Sequence, residues 1–190
     1  MENAIKSIAV FCGSSDGTEQ IFKDQATLLG KRLAEEKIAL VYGGANVGLM
    51  GALADGALSQ KGNVMGVLPN FLKSREIAHE RLTNLSFVNT MHERKAMMSD
   101  LADGFIALPG GYGTLEELFE ILTWRQLSLH IKPIGILNIN GFYDHLIGLL
   151  SNMVDKGFLK GVNKDMLLVS NNIDDLLFKM KNFKATKVDK

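Results

Sequence analysis

The apolar positions of this chain follow two alternating patterns. Short, mostly apolar runs fall at residues 5–12, 38–42, 63–68, 86–88, 105–108, 133–137 and 166–169. Runs of this length and composition suit strands buried on both faces. Between them, residues 19–36, 91–101, 142–156 and 173–181 have helical spacing. In the first of these helices Ile21, Phe22, Ala26, Leu29 and Leu33 share one face. A glycine-rich turn at Gly43, Gly44, Gly48 and Gly51 opens another helix, to about Ser59, whose small residues Gly51, Ala52, Ala54 and Ala57 let it lie close to a sheet. Residues 70–85 predict irregular chain or short helix, and residues 184–190 a polar tail that frays.

Regular alternation of strand and helix predicts an α/β protein: a Rossmann-like, doubly wound parallel sheet with helices on both faces. No internal repeat, linker or low-complexity segment interrupts it, so residues 1–183 are expected to form a single nucleotide-binding domain. Right-handed crossovers place the C-terminal ends of the strands along one edge of the sheet. Three of those ends carry polar or glycine turns, at Ser14-Ser15, Gly43-Gly44 and Gly110-Gly111. Ligands of open α/β sheets bind at that edge, so Ser14, Gly43 and Gly44 become candidate binding residues.

One stretch stands out. The strand Gly104-Phe105-Ile106-Ala107-Leu108 runs into the turn Pro109-Gly110-Gly111-Tyr112-Gly113, and a helix reading Thr114-Leu115-Glu116-Glu117 continues to about Leu129. Strand, glycine turn and helix N-terminus in that order make an anion site. Glycine lets the backbone approach a ligand, and the first helical turn offers unpaired N–H groups at the positive end of the helix dipole. Thr114 is expected either to cap the helix or to bond a phosphate oxygen. Glu116 and Glu117 in the first turn would repel a bound anion, so one carboxylate should point past it and a nearby cation should offset the charge. Arg94-Lys95 supplies the candidate. Adjacent helical residues project about 100° apart, so the two cannot face one point equally. Neither glycine turn is a GxGxxG fingerprint, and a nicotinamide cofactor is disfavoured.

Composition removes other classes. Among 190 residues, 21 are basic and 21 acidic, so nothing attracts a nucleic acid in bulk. Cys12 is the single cysteine, which excludes an intrachain disulfide and a cysteine zinc cluster. Its place at the end of an apolar strand reads as a small buried hydrophobe. The four histidines form no HxxxH or HExxH pair, so no metal is expected. The nine methionines read as core and interface filler. No run approaches membrane-spanning length and the N-terminus lacks signal-peptide character, so a soluble cytoplasmic protein is expected.

Pro109-Gly110-Gly111-Tyr112-Gly113-Thr114-Leu115-Glu116-Glu117 fits PGGxGTxxE, with Glu117 as the final acid. Together with Met91-His92-Glu93-Arg94-Lys95 and the segment from Tyr42 to Gly51, it resembles the LONELY GUY family. Those proteins are cytokinin riboside 5′-monophosphate phosphoribohydrolases, and many were once labelled lysine decarboxylases. The resemblance implies a nucleoside 5′-monophosphate substrate, no cofactor, and a homodimer or higher oligomer. It implies that Arg94 is catalytic and that Lys95, residues 111–117 and Thr123 contact the substrate. Tyr112, Gly113 and Leu115 enter the candidate site on that ground. Glu76, in Ser74-Arg75-Glu76-Ile77, matches a PREI-like contact segment in which Ser74 replaces the proline. Glu117 is also the carboxylate that chemistry favours, since breaking an N-glycosidic bond develops positive charge on the sugar. Two rivals are a non-catalytic nucleotide-binding module of the same fold and a decarboxylase. The second needs pyridoxal phosphate on a Schiff-base lysine, and no lysine here has a persuasive context for that.

Overall fold

Parallel pairing joins every strand of the sheet to its neighbours. The computed structural model describes residues 4–72 and 78–184. Its strands are β1 (Ser7–Phe11), β2 (Ala39–Tyr42), β3 (Val64–Pro69), β4 (Asn84–Val88), β5 (Gly104–Ala107), β6 (Ile134–Leu137) and β7 (Leu167–Ser170). They form one sheet in the order β4-β3-β2-β1-β5-β6-β7. The helices are α1 (Gln20–Glu35), α2 (Gly48–Ser59), α3 (Met91–Leu101), α4 (Tyr112–Gln126), α5 (Asp144–Asp155), the single-turn α6 (Gly161–Lys164) and α7 (Ile173–Lys181). Among the described residues no helix is long and apolar enough to cross a membrane.

The alternation of side chains along β1 builds two cores. Ile8, Val10 and Cys12 pack with α1, α2 and α7, while Ala9 and Phe11 pack with α3, α4 and α5. Both faces are covered, as unbroken apolar strands require. The chain winds outward from β1 to β4, then returns through α3 to β5 on the other side of β1. The point of reversal, where ligands of such sheets bind, lies between β1 and β5.

Some local expectations change. β4 starts at Asn84, two residues before the expected strand at residues 86–88, in register with β3 from Met65↔Asn84 to Pro69↔Val88. It is an edge strand, buried only at Val88, so its pattern is weaker than that of the central strands. Ile21, expected on the apolar face of α1, points outward, and Ala96 and Leu101 are exposed on α3. The small residues of α2 serve helix contact more than sheet contact. A Cβ at Gly30 would lie 2.1 Å from the Leu53 carbonyl oxygen, and one at Gly56 would lie 2.2 Å from that of Thr27. The two glycines thus set the close crossing of α1 and α2.

Candidate active site

The three turns converge through backbone hydrogen bonds. Gly13 N–H donates to Pro109 O at 3.0 Å, and Leu49 N–H donates to Gly13 O at 3.1 Å. The β1 turn is thereby tied to the β5 turn on one side and to the start of α2 on the other. Buried Tyr143 supports the end of β5, its hydroxyl donating to Leu108 O at 2.6 Å. Between these turns and α3 lies a cavity of about 240 Å³. Ser14, Gly43, Arg94, Thr114 and Glu117 line it, together with residues 111–113.

α4 starts earlier than its sequence suggests. Gly111 is the N-cap, in extended conformation and without a side-chain cap bond, and Leu115 N–H makes a helical bond back to Gly111 O. The N–H groups of Tyr112, Gly113 and Thr114 therefore lie ahead of the helical ladder. Thr114 is not the cap. It sits inside the first turn, buried, with its hydroxyl side facing Gly110. Glu116 and Glu117 fall in the second turn. This removes the expected conflict, because an anion on the first-turn donors and a carboxylate one turn deeper occupy different places. A Cβ at Gly111 or Gly113 would meet nothing within 4 Å, so that side of the turn is open. Tyr112, at 95% exposure, stands at the mouth.

Arg94 and Glu117 reach the cavity from different elements. Arg94 is 7% exposed and Glu117 8%. Arg94 Nε donates to Val67 O at 3.2 Å, and Nη2 lies against Gly43, where a Cβ would be only 2.0 Å away. Glycine is therefore needed at 43 for space. Cys12 lies on the floor. Burial first, and the Glu117 charge second, push its thiol well above the usual range, against the opposing pull of Arg94. The thiol stays neutral and is no nucleophile.

Other candidates lie elsewhere. Lys95 turns away from the cavity to Glu116 Oε1 at 2.5 Å and Glu120 Oε1 at 3.0 Å. Its pKa is raised, because bonding to the two carboxylates outweighs the opposing effect of burial. Leu115 packs at the edge of the second core and does not line the cavity. Thr123 is exposed, donates to Phe119 O at 2.7 Å, and borders a separate hollow between α4 and α5. Gly44 lies behind Gly43, with φ +81°, and its carbonyl accepts from His79 N–H. Glu76 is outside the described residues. Met50, Met91 and Met98, read as filler, line the cavity. Nothing in their spacing separates a pocket wall from a core. Among the described residues no group of His, Cys, Asp and Glu side chains could hold a metal ion.

A cation, a carboxylate and a row of backbone donors thus face one cavity at the switch point. The chain matches the family model described as possible lysine decarboxylase over residues 50–180. It is 44% identical over 176 residues to cytokinin riboside 5′-monophosphate phosphoribohydrolase LOG2 of Arabidopsis thaliana, covering 93% of this chain and 83% of the relative. To LOG7 of the same plant it is 42% identical over 182 residues, covering 96% and 84%. This chain belongs to the LONELY GUY family.

The LONELY GUY fold extends to more distant proteins. The molybdenum cofactor binding protein of Rippkaea orientalis superposes with a TM-score of 0.69 at 22% identity, over 94% of this chain and 98% of that one. The molybdenum cofactor carrier protein of Chlamydomonas reinhardtii gives 0.68 at 20%, over 91% and 98%. At these identities the likeness is one of fold. The decarboxylase label of the LONELY GUY family model finds no support in the site. Among the described residues no lysine lines the cavity, and the buried Lys95 is engaged by Glu116 and Glu120. Among the described residues a pyridoxal Schiff base has no lysine there to hold it.

Proposed function

We propose that the protein hydrolyses the N-glycosidic bond of nucleoside 5′-monophosphates, with N6-modified adenosine monophosphates as the preferred class. Water adds at C1 of the ribose as the bond to the purine nitrogen breaks. One water proton ends on the released base, and the hydroxyl stays on ribose 5-phosphate. The N–H groups of residues 112–114 and the Thr114 hydroxyl bind the phosphate. Glu117 stabilises the oxocarbenium character of the sugar and orients or deprotonates the water. A guanidinium is a poor proton donor at neutral pH, so the role of Arg94 is electrostatic, toward the ribose or the departing base.

The observation that carries this reading is the meeting of buried Glu117 and Arg94 in one cavity beside the open first turn of α4. The names of relatives at 42–44% identity supply the substrate class. The test is base release from AMP set against adenosine. One charge-assisted hydrogen bond to a bound anion contributes about 1.5–3 kcal/mol, so several together should favour the monophosphate by about a hundredfold or more. Equal efficiency on both would count against the reading.

A homodimer that completes each site is part of the proposal. Small-molecule pockets run to about 300–1,000 Å³. The 240 Å³ cavity falls short of that, which suits a sugar phosphate whose base extends beyond this chain. Beyond α4, Leu127, Leu129 and Ile131 are each at least 60% exposed and supply an apolar surface for a second copy. Light scattering at assay concentration should report a dimer or a higher even oligomer. A fully active monomer would overturn this part.

A further inference from the structure

His79 has no place in the chemistry above, yet its side chain is only 1% exposed. Both ring nitrogens are engaged. Nδ1 accepts from Arg81 N–H at 3.2 Å, so Nε2 carries the proton and donates to Asp55 Oδ1, also at 3.2 Å. Asp55 belongs to α2 and is also paired with the Arg81 guanidinium. The backbone of the same residue reaches the β2–α2 turn. His79 N–H donates to Gly44 O at 3.0 Å, and Ala45 and Ala78 form an antiparallel bridge beside it. One residue thus ties its segment to the body of α2 through the ring and to the glycine turn through the main chain.

That turn is one wall of the Arg94 seat. Gly44 holds φ +81° and follows Gly43, against which Nη2 of Arg94 packs. The other wall is Val67 O, which accepts from Nε. The Arg81–Asp55 pair is largely solvated and contributes little rigidity. The buried imidazole is the rigid member. We propose that His79 is a positioning residue for Arg94, acting through the Gly43–Gly44 turn, an inference that rests on the reading of the site given above. When the tie to Asp55 is lost, the turn relaxes and the guanidinium leaves its place in the cavity.

Two variants separate the tie from local structure. His79→Asn keeps an acceptor for the N–H two residues on, as in an Asx turn, but is too short to reach Asp55. His79→Gln can reach Asp55. Displacing a positioned group by about 1 Å can cost up to a hundredfold. Single-turnover base release from AMP should therefore fall about tenfold in His79→Asn and recover in His79→Gln. In an Arg94→Ala background, His79→Asn should not lower the rate further, although it still lowers the melting temperature. Asp55→Ala, at a half-exposed position, removes the same tie from the other side, and it should reproduce the loss. A wild-type rate in His79→Asn or Asp55→Ala, or losses that multiply with Arg94→Ala, would overturn the inference. If the wild type releases no base from any nucleotide, the hydrolase reading fails. The inference is then decided by solvent exchange of the Arg94 Nε–H in NMR spectra. Faster exchange in His79→Asn than in His79→Gln supports it, and equal exchange rejects it.

Discussion

Lys95 Nζ lies 2.5 Å from Glu116 Oε1, and the chain neighbours of these two residues are Arg94 and Glu117. The ion pair, extended to Glu120 at 3.0 Å, clamps α3 to α4 directly behind the two groups that face the cavity. This places Lys95 behind the site, and its expected role is to hold Arg94 and Glu117 in place. Lys95→Met removes the charge and leaves two partly solvated carboxylates, a loss of about 1–3 kcal/mol, discounted from that of a fully buried broken pair. Turnover should fall while AMP affinity stays within a few fold. A phosphate contact would instead contribute about 1.5–3 kcal/mol to binding. Calorimetry of AMP binding to the variant decides between the two roles.

The same clamp predicts a pH dependence. The folded-state pKa of Lys95 is raised, so the folded chain retains a proton that the unfolded chain gives up near pH 10.4. The stabilisation is present below that pH and is lost as pH climbs through the folded value. The melting-temperature gap between wild type and Lys95→Met should be constant from pH 7 to about pH 9 and close above about pH 10.5. A gap that widens with alkali would contradict the assignment.

Gly43 and Gly113 should respond oppositely to alanine. A methyl at 43 collides with Arg94 Nη2, so overpacking should cost about 1–3 kcal/mol and displace the guanidinium. A methyl at 113 meets nothing within 4 Å and sits inside a helix. Gly113→Ala should therefore raise stability by up to about 1 kcal/mol while weakening AMP binding, since the methyl projects where the phosphate approaches. Thermal melts and binding titrations on both variants check this. A Gly113→Ala protein that binds AMP like wild type would show that the first turn is not the phosphate site.

Much of the fold was legible because local chemistry and tertiary structure agree. α3 and α7 have the bounds that the pattern implies, and each has a side-chain cap. Thr90 accepts from Glu93 N–H and Asn172 from Asp175 N–H. β4 was blurred because a half-exposed edge strand lacks the apolar signature of a central one. The start of α4 was misplaced because Thr114 is the better cap by residue type, whereas Gly111 takes that role with no side-chain bond at all. In the site, the motif located the turn, Arg94 and Glu117. The direction of Lys95 was hidden, since its carboxylate partners lie 21 and 25 residues away on another helix. His79 was hidden likewise, with Asp55 a distance of 24 residues along the chain.

Glu117→Gln tests the central claim most directly. The exchange keeps size and hydrogen-bonding capacity and removes the charge. A bound nucleotide carries no positive charge on its sugar, so AMP affinity should be unchanged or slightly higher. The transition state does carry that charge, so single-turnover base release should fall by about a hundredfold or more, the scale of one lost electrostatic contact. A Glu117→Gln protein that releases base at the wild-type rate would contradict the assignment of Glu117. A wild-type protein that binds AMP tightly and releases no base from any nucleotide would leave a binding module in place of an enzyme.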